Sequence, residues 1–362
     1  MSAAGDRASV STAATVEWPV WDRAVLRSAS GRRDVAIAGI PRSGSTLACH
    51  LLNRFPDAVA LHEPFALSGF RRWPGFPVGS ERALLGVEGF FAAARASLRE
   101  RGEVVSKHAD GVIPDNPIGE GGRGAASLRT LVRRISRRLG DGRALRRGRV
   151  VRGLVRVGKP LSDDFLLCVK HPSIFTGLLP RLVDHYPCFA TVRNPIAVLG
   201  SWNSIEFAVS DGRSRAAERL DPQLRRQLDR CANRGERQLR LLEWYFERIA
   251  RWLPPARILR YEDVVASGGT LLSRIAGTTA PVHKPLESRN RSSDYDAALV
   301  LDLGERLLSA PGPWSAFYSV ESLERLLAEL HTGAPDQAAP SGSARLRRLS
   351  AEEGAPDPRG WL

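Results

Sequence analysis

Short apolar runs of strand length alternate along the chain with segments whose apolar residues recur at helical spacing. The strand-length runs are predicted at residues 34–40, 58–61, 103–107, 164–170, 188–192 and 257–263. Because these runs contain few polar residues, we expect strands that are covered on both faces, as in a parallel sheet. The pattern therefore predicts an α/β fold of three layers, with a central parallel sheet flanked by helices.

The first apolar run ends in a loop rich in glycine and hydroxyl residues. Residues 39–46 read Gly-Ile-Pro-Arg-Ser-Gly-Ser-Thr, and the leucines after them predict a helix that begins at about Ser45. Such a loop directs backbone N–H groups and the positive end of a helix dipole at one point, which favours a bound phosphate. The spacing of Gly39 and Gly44 is that of a nucleotide-binding P-loop, and it predicts a P-loop-NTPase-like fold.

The loop departs from the P-loops that bind ATP at one important position. Ser45 stands where that consensus has the lysine that reaches the β- and γ-phosphates, and a cation stands earlier instead, at Arg42. These residues predict a phosphate site that is not built for ATP hydrolysis. An ordinary strand-to-helix turn, whose glycines serve only the bend, is the alternative interpretation.

Charged residues also follow two other predicted strands at their carboxyl ends, where α/β proteins place groups that bind ligands. The second run is followed by Glu63, and the run 164–170 ends in Lys170 with His171 after it. These three side chains are therefore candidates for catalysis. A solvent-exposed loop carboxylate is the alternative for Glu63.

A second strand-to-helix junction offers another pair of side chains that can bind an anion. The run 188–192 is followed by Arg193, and Pro195 then opens a predicted helix that carries Ser201. An arginine at a strand end and a serine two turns into the next helix can contact one phosphate together. The chain therefore has two candidate phosphate sites, in order along the sequence.

These motifs resemble those of the sulfotransferases that use 3′-phosphoadenosine 5′-phosphosulfate (PAPS). Residues 41–46, Pro-Arg-Ser-Gly-Ser-Thr, resemble the 5′-phosphosulfate loop, in the form found in the carbohydrate and tyrosylprotein branches and their bacterial relatives. Arg193, with Ser201 eight residues later, resembles the 3′-phosphate motif. The similarity spans roughly residues 34–276, with a gap over a basic insertion.

The resemblance implies transfer of a sulfuryl group from PAPS to a hydroxyl of a carbohydrate, lipid or small molecule, with release of adenosine 3′,5′-bisphosphate. It implies no metal. The residues that it assigns to the nucleotide are Arg42, Ser43, Gly44, Ser45, Thr46, Arg193 and Ser201. Arg289 and Arg291 are weaker candidates for a late loop that closes the nucleotide site, because the usual glycine pattern of that loop is absent here.

The resemblance also suggests roles in catalysis. Arg42 and Lys170 would stabilise charge on the leaving phosphate, and Lys170 resembles the Lys-x-Pro of the tyrosylprotein branch. Glu63 matches the glutamate base of the carbohydrate and tyrosylprotein branches, whereas His171 lies before Arg193 at a spacing like that of the histidine base in cytosolic members. We favour Glu63 because the arginine-type loop accompanies it.

Charge is concentrated in one segment of the chain. The net charge is +14, and residues 123–159 contain thirteen Lys/Arg and one acidic residue. Within this segment, residues 128–139 predict a basic helix with one apolar stripe. Such a helix could pack on the core, cover the site of an acceptor that already carries negative charge, or contact an anionic membrane surface. We expect no nucleic-acid partner, and the oligomeric state is not readable.

The predicted domain organisation is simple. We expect a partly disordered arm at 1–33, a sulfotransferase domain at 34–331 with an Arg-rich insertion at about 119–160, and a disordered tail at 332–362. The sequence shows no signal peptide, no apolar run long enough to span a bilayer and no zinc-type cysteine pattern, so a cytoplasmic location is expected. The competing hypotheses are a P-loop kinase-like phosphotransferase and a non-enzymatic binder of anionic surfaces through the insertion.

Overall fold

A computed structural model describes residues 26–66, 80–119, 147–148, 150–278 and 283–332. The predicted basic helix at 128–139, most of the N-terminal arm and nearly all of the predicted tail lie outside the described residues. Along the described chain, the strands are β1 Asp34–Gly39, β2 Ala58–His62, β3 Glu103–His108, β4 Ile118–Gly119, β5 Arg147–Gly148, β6 Val151–Arg156, β7 Leu166–Lys170, β8 Cys188–Val192 and β9 Ile258–Arg260.

Helices occupy most of the remaining described chain. They are α1 Ser45–Leu52, α2 Ser80–Arg101, α3 Pro172–Leu182, α4 Pro195–Asn203, α5 Arg215–Leu220, α6 Pro222–Arg230, α7 Arg234–Trp252, α8 Tyr261–Ala266, α9 Ser273–Ala276, α10 Ala297–Leu308 and α11 Val320–His331. None of the helices in the described ranges is long and apolar enough to cross a membrane.

The predicted central parallel sheet is confirmed. Within the described residues it has five strands in the order β2-β7-β1-β8-β9, and every pair is parallel. All residues of β1, β2, β7 and β8 are buried, as their apolar sequences require when helices cover both faces. The order places β1 at the centre, so the loop after β1 opens at the middle of the sheet edge.

Alternate residues of β1 belong to two different apolar clusters, which shows the three-layer arrangement directly. Val35 and Ile37 pack with α1, α8 and α9 on one face of the sheet. Ala36 and Ala38 pack with α3, α4, α7 and α10 on the other face. Since side chains of a strand point alternately to opposite faces, a strand that is apolar throughout supplies both layers.

The predicted strand at 103–107 exists, but it is not part of the central sheet. As β3, it pairs antiparallel with β6, which falls in the segment where the sequence analysis placed a basic insertion. The charged residues of β3 are half-buried and those of β6 are exposed, which a strand buried on both faces could not accommodate. β4 pairs with β5, so the two ends of the segment 120–146 lie side by side.

The helical region predicted at 221–252 is two helices rather than one. The first helix, α6, ends at Arg230, and Cys231 has an extended backbone. The side chain of Asn233 then caps α7 by accepting a hydrogen bond from the backbone N–H of Glu236. Asparagine is a favoured residue at this position because its side-chain oxygen satisfies a backbone donor that the helix leaves unpaired.

Candidate functional site

The loop after β1 depends on its two glycines. Gly44 precedes α1 in the left-handed conformation, with φ of 85°, and a Cβ there would lie 2.6 Å from Cδ2 of Tyr261. Gly39 has φ of 139°, and a Cβ there would lie 2.4 Å from Oγ1 of Thr191. Only glycine fits these positions without strain. The backbone therefore approaches its neighbours as closely as the P-loop spacing predicts.

The loop presents Gly44, Ser45 and Thr46 to a large cavity, but not Ser43. The hydroxyl of Ser43 hydrogen-bonds with Oγ1 of Thr191 at 2.7 Å and donates to the carbonyl of Ile40 at 2.6 Å. Ser43 is thus turned into the protein and fixes the bend. The assignment of Ser43 to the nucleotide stays a prediction.

A single carboxylate stands between two lysines on the wall of the same cavity. Lys170 Nζ, at the end of β7, donates to Oε1 of Glu63 at 2.9 Å, and Lys107 Nζ, on β3, donates to Oε2 of Glu63. Glu63 has a positive φ of 41°, which is rare for a residue with a side chain and costs free energy. Such strained residues cluster at functional sites, where surrounding contacts hold them.

The charges around Glu63 control its protonation. Burial alone would raise the pKa of Glu63, but Lys170, the neighbouring His62 and Lys107 together hold it well below its usual range. Burial lowers the pKa of Lys170, and the Glu63 carboxylate opposes that effect. Glu63 is therefore ionised at neutral pH and ready to accept a hydrogen bond.

Lys170 also connects this carboxylate to the loop. Its Nζ donates to Oγ1 of Thr46 at 3.3 Å, on the first turn of α1. The ammonium group is buried, so solvent screens its charge little. One cation thus contacts both the first turn of α1 and the carboxylate of Glu63.

His171 lies beside this group, in an apolar setting. Its ring packs between Phe65 and Phe175, with centroids at 5.1 and 6.1 Å, and burial lowers its pKa to about 4. Nε2 donates to the carbonyl of Phe65 at 3.0 Å, which leaves Nδ1 as the acceptor. Nδ1 is buried and finds no hydrogen-bond partner among the described residues. Glu63 is the better placed of the two candidate bases.

The two candidate phosphate sites are joined by direct contacts. Arg42 Nε donates to Oγ of Ser201 at 3.1 Å, and Arg193 Nη1 donates to the backbone carbonyl of Arg42 at 3.2 Å. The loop and the second junction therefore open onto one cavity. The predicted motif pairs Ser201 with Arg193. In this structure, Ser201 accepts a hydrogen bond from Arg42 instead.

Arg193 itself is covered by a loop of the protein, residues 288–295. Its Nε donates to Oδ1 of Asn290 at 2.8 Å, and its Nη2 donates to the hydroxyl of Tyr295 at 3.0 Å and to the carbonyl of Arg289. The guanidinium also lies 4.5 Å from the ring of Tyr261, and the residue is 5% exposed. Atoms of this loop thus occupy positions around Arg193 that phosphate oxygens could take.

The two weaker arginine candidates lie in or near that loop but play different parts. The backbone carbonyl of Arg289 accepts a hydrogen bond from Arg193, and Arg289 lines the cavity. Arg291 pairs with Glu329 at 3.6 Å. Glu262 anchors the loop, since its Oε1 accepts from Nδ2 of Asn290 at 2.9 Å.

The cavity that unites these groups has a volume of about 1050 Å³. Every predicted site residue lines it except Ser43 and the weaker candidate Arg291. The sequence analysis did not nominate Lys107, although a lysine at the end of a predicted strand was the same signal that singled out Lys170. It also missed the segment 205–216, which carries no recognisable motif. Among the described residues, no group of three or more His, Cys, Asp or Glu side chains could hold a metal ion.

Comparisons with known proteins add little to this geometry. No protein-family model and no curated protein matches the chain. Among solved structures, the chain is similar to the sulfotransferase domain from the Synechococcus PCC 7002 olefin synthase. The match has 17% identity, covers 94% of this chain and 100% of that domain, and has a TM-score of 0.30. At such low similarity, the chemistry has to be argued from the site.

Proposed function

We propose that the protein is a sulfotransferase that moves the sulfuryl group of PAPS to a hydroxyl and releases adenosine 3′,5′-bisphosphate. One observation carries this proposal. Lys170 Nζ lies 3.3 Å from Oγ1 of Thr46 and 2.9 Å from Oε1 of Glu63, so one ammonium group borders both an oxyanion site and a carboxylate. Sulfuryl transfer to an alcohol needs these two functions side by side, one for the leaving phosphate and one for the proton.

The loop would act on the leaving group. As the bond between sulfur and the bridging phosphate oxygen breaks, negative charge develops on that oxygen. Arg42, Lys170 and the first-turn N–H groups of α1 would stabilise it. The absence of a side-chain cap on α1 supports the part given to those N–H groups. As in phosphoryl transfer, catalysis would consist mainly of positioning and electrostatic stabilisation.

Glu63 would act on the acceptor. The acceptor oxygen forms the new O–S bond, and its proton passes to the Glu63 carboxylate, so that a sulfate ester and the bisphosphate are the products. A positioned base of this kind contributes about 10²–10⁴-fold to the rate. When the donor anion attracts Lys170, Glu63 loses its strongest positive neighbour, and its affinity for the proton rises.

A ligand-binding measurement tests the nucleotide assignment. We expect adenosine 3′,5′-bisphosphate to raise the melting temperature without Mg²⁺, and ATP with Mg²⁺ to have no comparable effect. Arg42→Ala should abolish the shift, whereas Arg54→Ala, an exposed arginine just beyond α1, should preserve it. Stabilisation by ATP with Mg²⁺ alone would favour a P-loop kinase-like enzyme instead.

A transfer assay tests the reaction. Incubation with PAPS labelled with ³⁵S and a panel of hydroxylated acceptors should yield a labelled ester in an amount equal to the bisphosphate released. The proposal would be contradicted if labelled sulfate were released without a labelled ester, or if Glu63→Gln formed the ester as well as wild type.

A further inference from the structure

The segment 205–216, which joins α4 to α5 and includes the first residues of α5, forms a wall of the cavity that Glu63 also lines. Its position is set by Tyr245 on α7. The Tyr245 hydroxyl donates to Oγ of Ser214 at 3.2 Å and hydrogen-bonds with Oγ of Ser173 at 2.7 Å. Ser173, three residues after Lys170, lines the same cavity. The wall and Glu63 therefore border one space that an acceptor can occupy.

The wall presents mainly apolar groups to the cavity. Phe207 is 43% exposed, and it lies on the cavity lining. The other apolar residues of the segment that line the cavity are Ile205, Ala208, Val209 and Ala216. Such a surface gains free energy by covering an apolar ligand, and it gives a sugar few hydrogen-bond partners.

The wall is held in place by contacts with α7. The amide of Gln238 donates to the carbonyl of Ser210 at 2.9 Å, and Arg237 Nε donates to the carbonyl of Asp211 at 3.1 Å. Gly212 has φ of 68°, and a Cβ there would lie 2.4 Å from Cβ of Arg237. A wall fixed in this way loses little conformational freedom when a ligand binds.

Three charged residues of the segment, Glu206, Arg213 and Arg215, also line the cavity, and the first of the two arginines is paired. Arg213 donates to Oδ1 of Asp229 at 2.7 Å and lies 2.8 Å from Oε2 of Glu218. Arg215, at the start of α5, is exposed. A paired guanidinium has less attraction for a further anion, so this wall does not favour an acceptor with a negative charge at Arg213.

We propose that residues 205–216 bind the apolar body of the acceptor, and that the acceptor is a hydrophobic alcohol rather than a sugar. This inference rests on the proposed sulfotransferase function and extends it to the acceptor class. Phe207 covers the apolar body, while the hydroxyl points towards Glu63. Phe207 is thus a residue that determines specificity and takes no part in the chemical step.

Two acceptors of similar size that both carry a primary hydroxyl test the proposal. With labelled PAPS, we expect kcat/KM for 3-phenylpropan-1-ol to exceed that for methyl β-D-glucoside by about ten-fold or more, as apolar pocket contacts discriminate on this scale. Phe207→Ala should raise KM for the phenyl alcohol by about ten-fold, with kcat changed much less. Leu85→Ala, which removes an exposed leucine on α2 outside the cavity, should change neither value.

The measurements also separate this inference from the proposed function. Calorimetry with adenosine 3′,5′-bisphosphate should give the same affinity for wild type and Phe207→Ala, and wild type should bind the phenyl alcohol in its presence. Three results would overturn the acceptor class alone. The first is a kcat/KM for the glucoside that equals or exceeds that for the phenyl alcohol, and the second is no binding of the phenyl alcohol. The third is a Phe207→Ala effect no larger than that of Leu85→Ala. Absence of bisphosphate binding and of all sulfuryl transfer would overturn both proposals.

Discussion

The two candidate anion sites of this protein differ in how their donors are used. At the loop 39–46, the backbone enters α1 through Gly44, and no side chain caps that helix. At Arg193, by contrast, the guanidinium already donates to Asn290, Tyr295 and two backbone carbonyls. At the first site no side chain occupies the N-terminus of α1, although Arg42 donates to Ser201, whereas the guanidinium of the second site is satisfied by the protein itself.

If the proposed nucleotide places its 3′-phosphate at Arg193, this difference implies that the second site would exchange partners. Asn290 Oδ1 accepts from Arg193, and its Nδ2 donates to Glu262, so a phosphate at Arg193 has to displace a residue held at both ends. The free energy needed for that displacement lowers the apparent affinity, because only the displaced conformation binds. We call this arrangement, in which the loop 288–295 accepts the hydrogen bonds of Arg193, the closed resting state.

The largest effect should come from Glu63, on the side of the open site. We expect Glu63→Gln to lower kcat by about two orders of magnitude or more, since the proton acceptor is lost. The affinity for the bisphosphate should remain within about two-fold, because Glu63 does not bind the donor. The matched variant is His171→Gln. If Glu63→Gln kept its turnover and His171→Gln lost it, His171 would be the base.

Gly44→Ala should damage the open site specifically. The added methyl would lie 2.6 Å from Tyr261 at a φ of 85°, so the loop must distort. We expect adenosine 3′,5′-bisphosphate and 5′-AMP to weaken together, by roughly ten- to hundred-fold, because both use the loop. Gly158→Ala, where an added methyl would meet open space, is the control. If only the bisphosphate weakened, the loop would not be the 5′ site.

Arg193→Ala should separate the two sites. We expect calorimetry to show about a ten-fold loss of affinity for the bisphosphate, the scale of a charged hydrogen bond, and little change for 5′-AMP. Arg193→Lys should retain part of the preference for the bisphosphate over 5′-AMP. This control distinguishes the loss of a positive charge from a defect in folding. Equal weakening of both nucleotides would remove Arg193 from the 3′-phosphate site.

Asn290→Ala should have a smaller effect of opposite sign. Removing the competing oxygen should tighten bisphosphate binding by about three-fold to ten-fold and leave 5′-AMP unchanged. Weaker binding would show that Asn290 contacts the nucleotide itself, and the closed resting state would then be wrong.

The last prediction concerns folding stability rather than binding or turnover, and it involves His171 beside Glu63. Burial lowers the pKa of His171 to about 4 from its usual 6.5, so the unfolded chain takes up the proton first as pH falls. The stabilisation from a neutral His171 is complete above pH 6.5 and declines between pH 6.5 and 4, by up to about 1.4 kcal/mol per pH unit. Urea unfolding at pH 7 and 5 should show a smaller decline in His171→Gln; an identical decline would assign the acid sensitivity elsewhere.

Local sequence was enough to predict the parts of the site that lie on single strand-to-helix junctions. Gly39, Gly44 and the leucines of α1 specify a bend and a helix through backbone geometry and periodicity. β1 and β8 were predicted as buried strands because their residues are apolar on both faces. Lys107 escaped notice because its role depends on β3 pairing with β6, a contact between segments more than forty residues apart.

By itself, the sequence determined the central parallel sheet, the loop before α1 and the presence of charged residues at several strand ends. Each can be read from the residue types within short segments of the chain, since runs that are apolar throughout require strands covered on both faces. Only the tertiary structure decided that Lys107 and Lys170 would flank Glu63, that Ser43 would turn inward and that Asn290 would cover Arg193. Those outcomes depend on which strands and loops meet at the sheet edge, which long-range packing sets and no local pattern encodes.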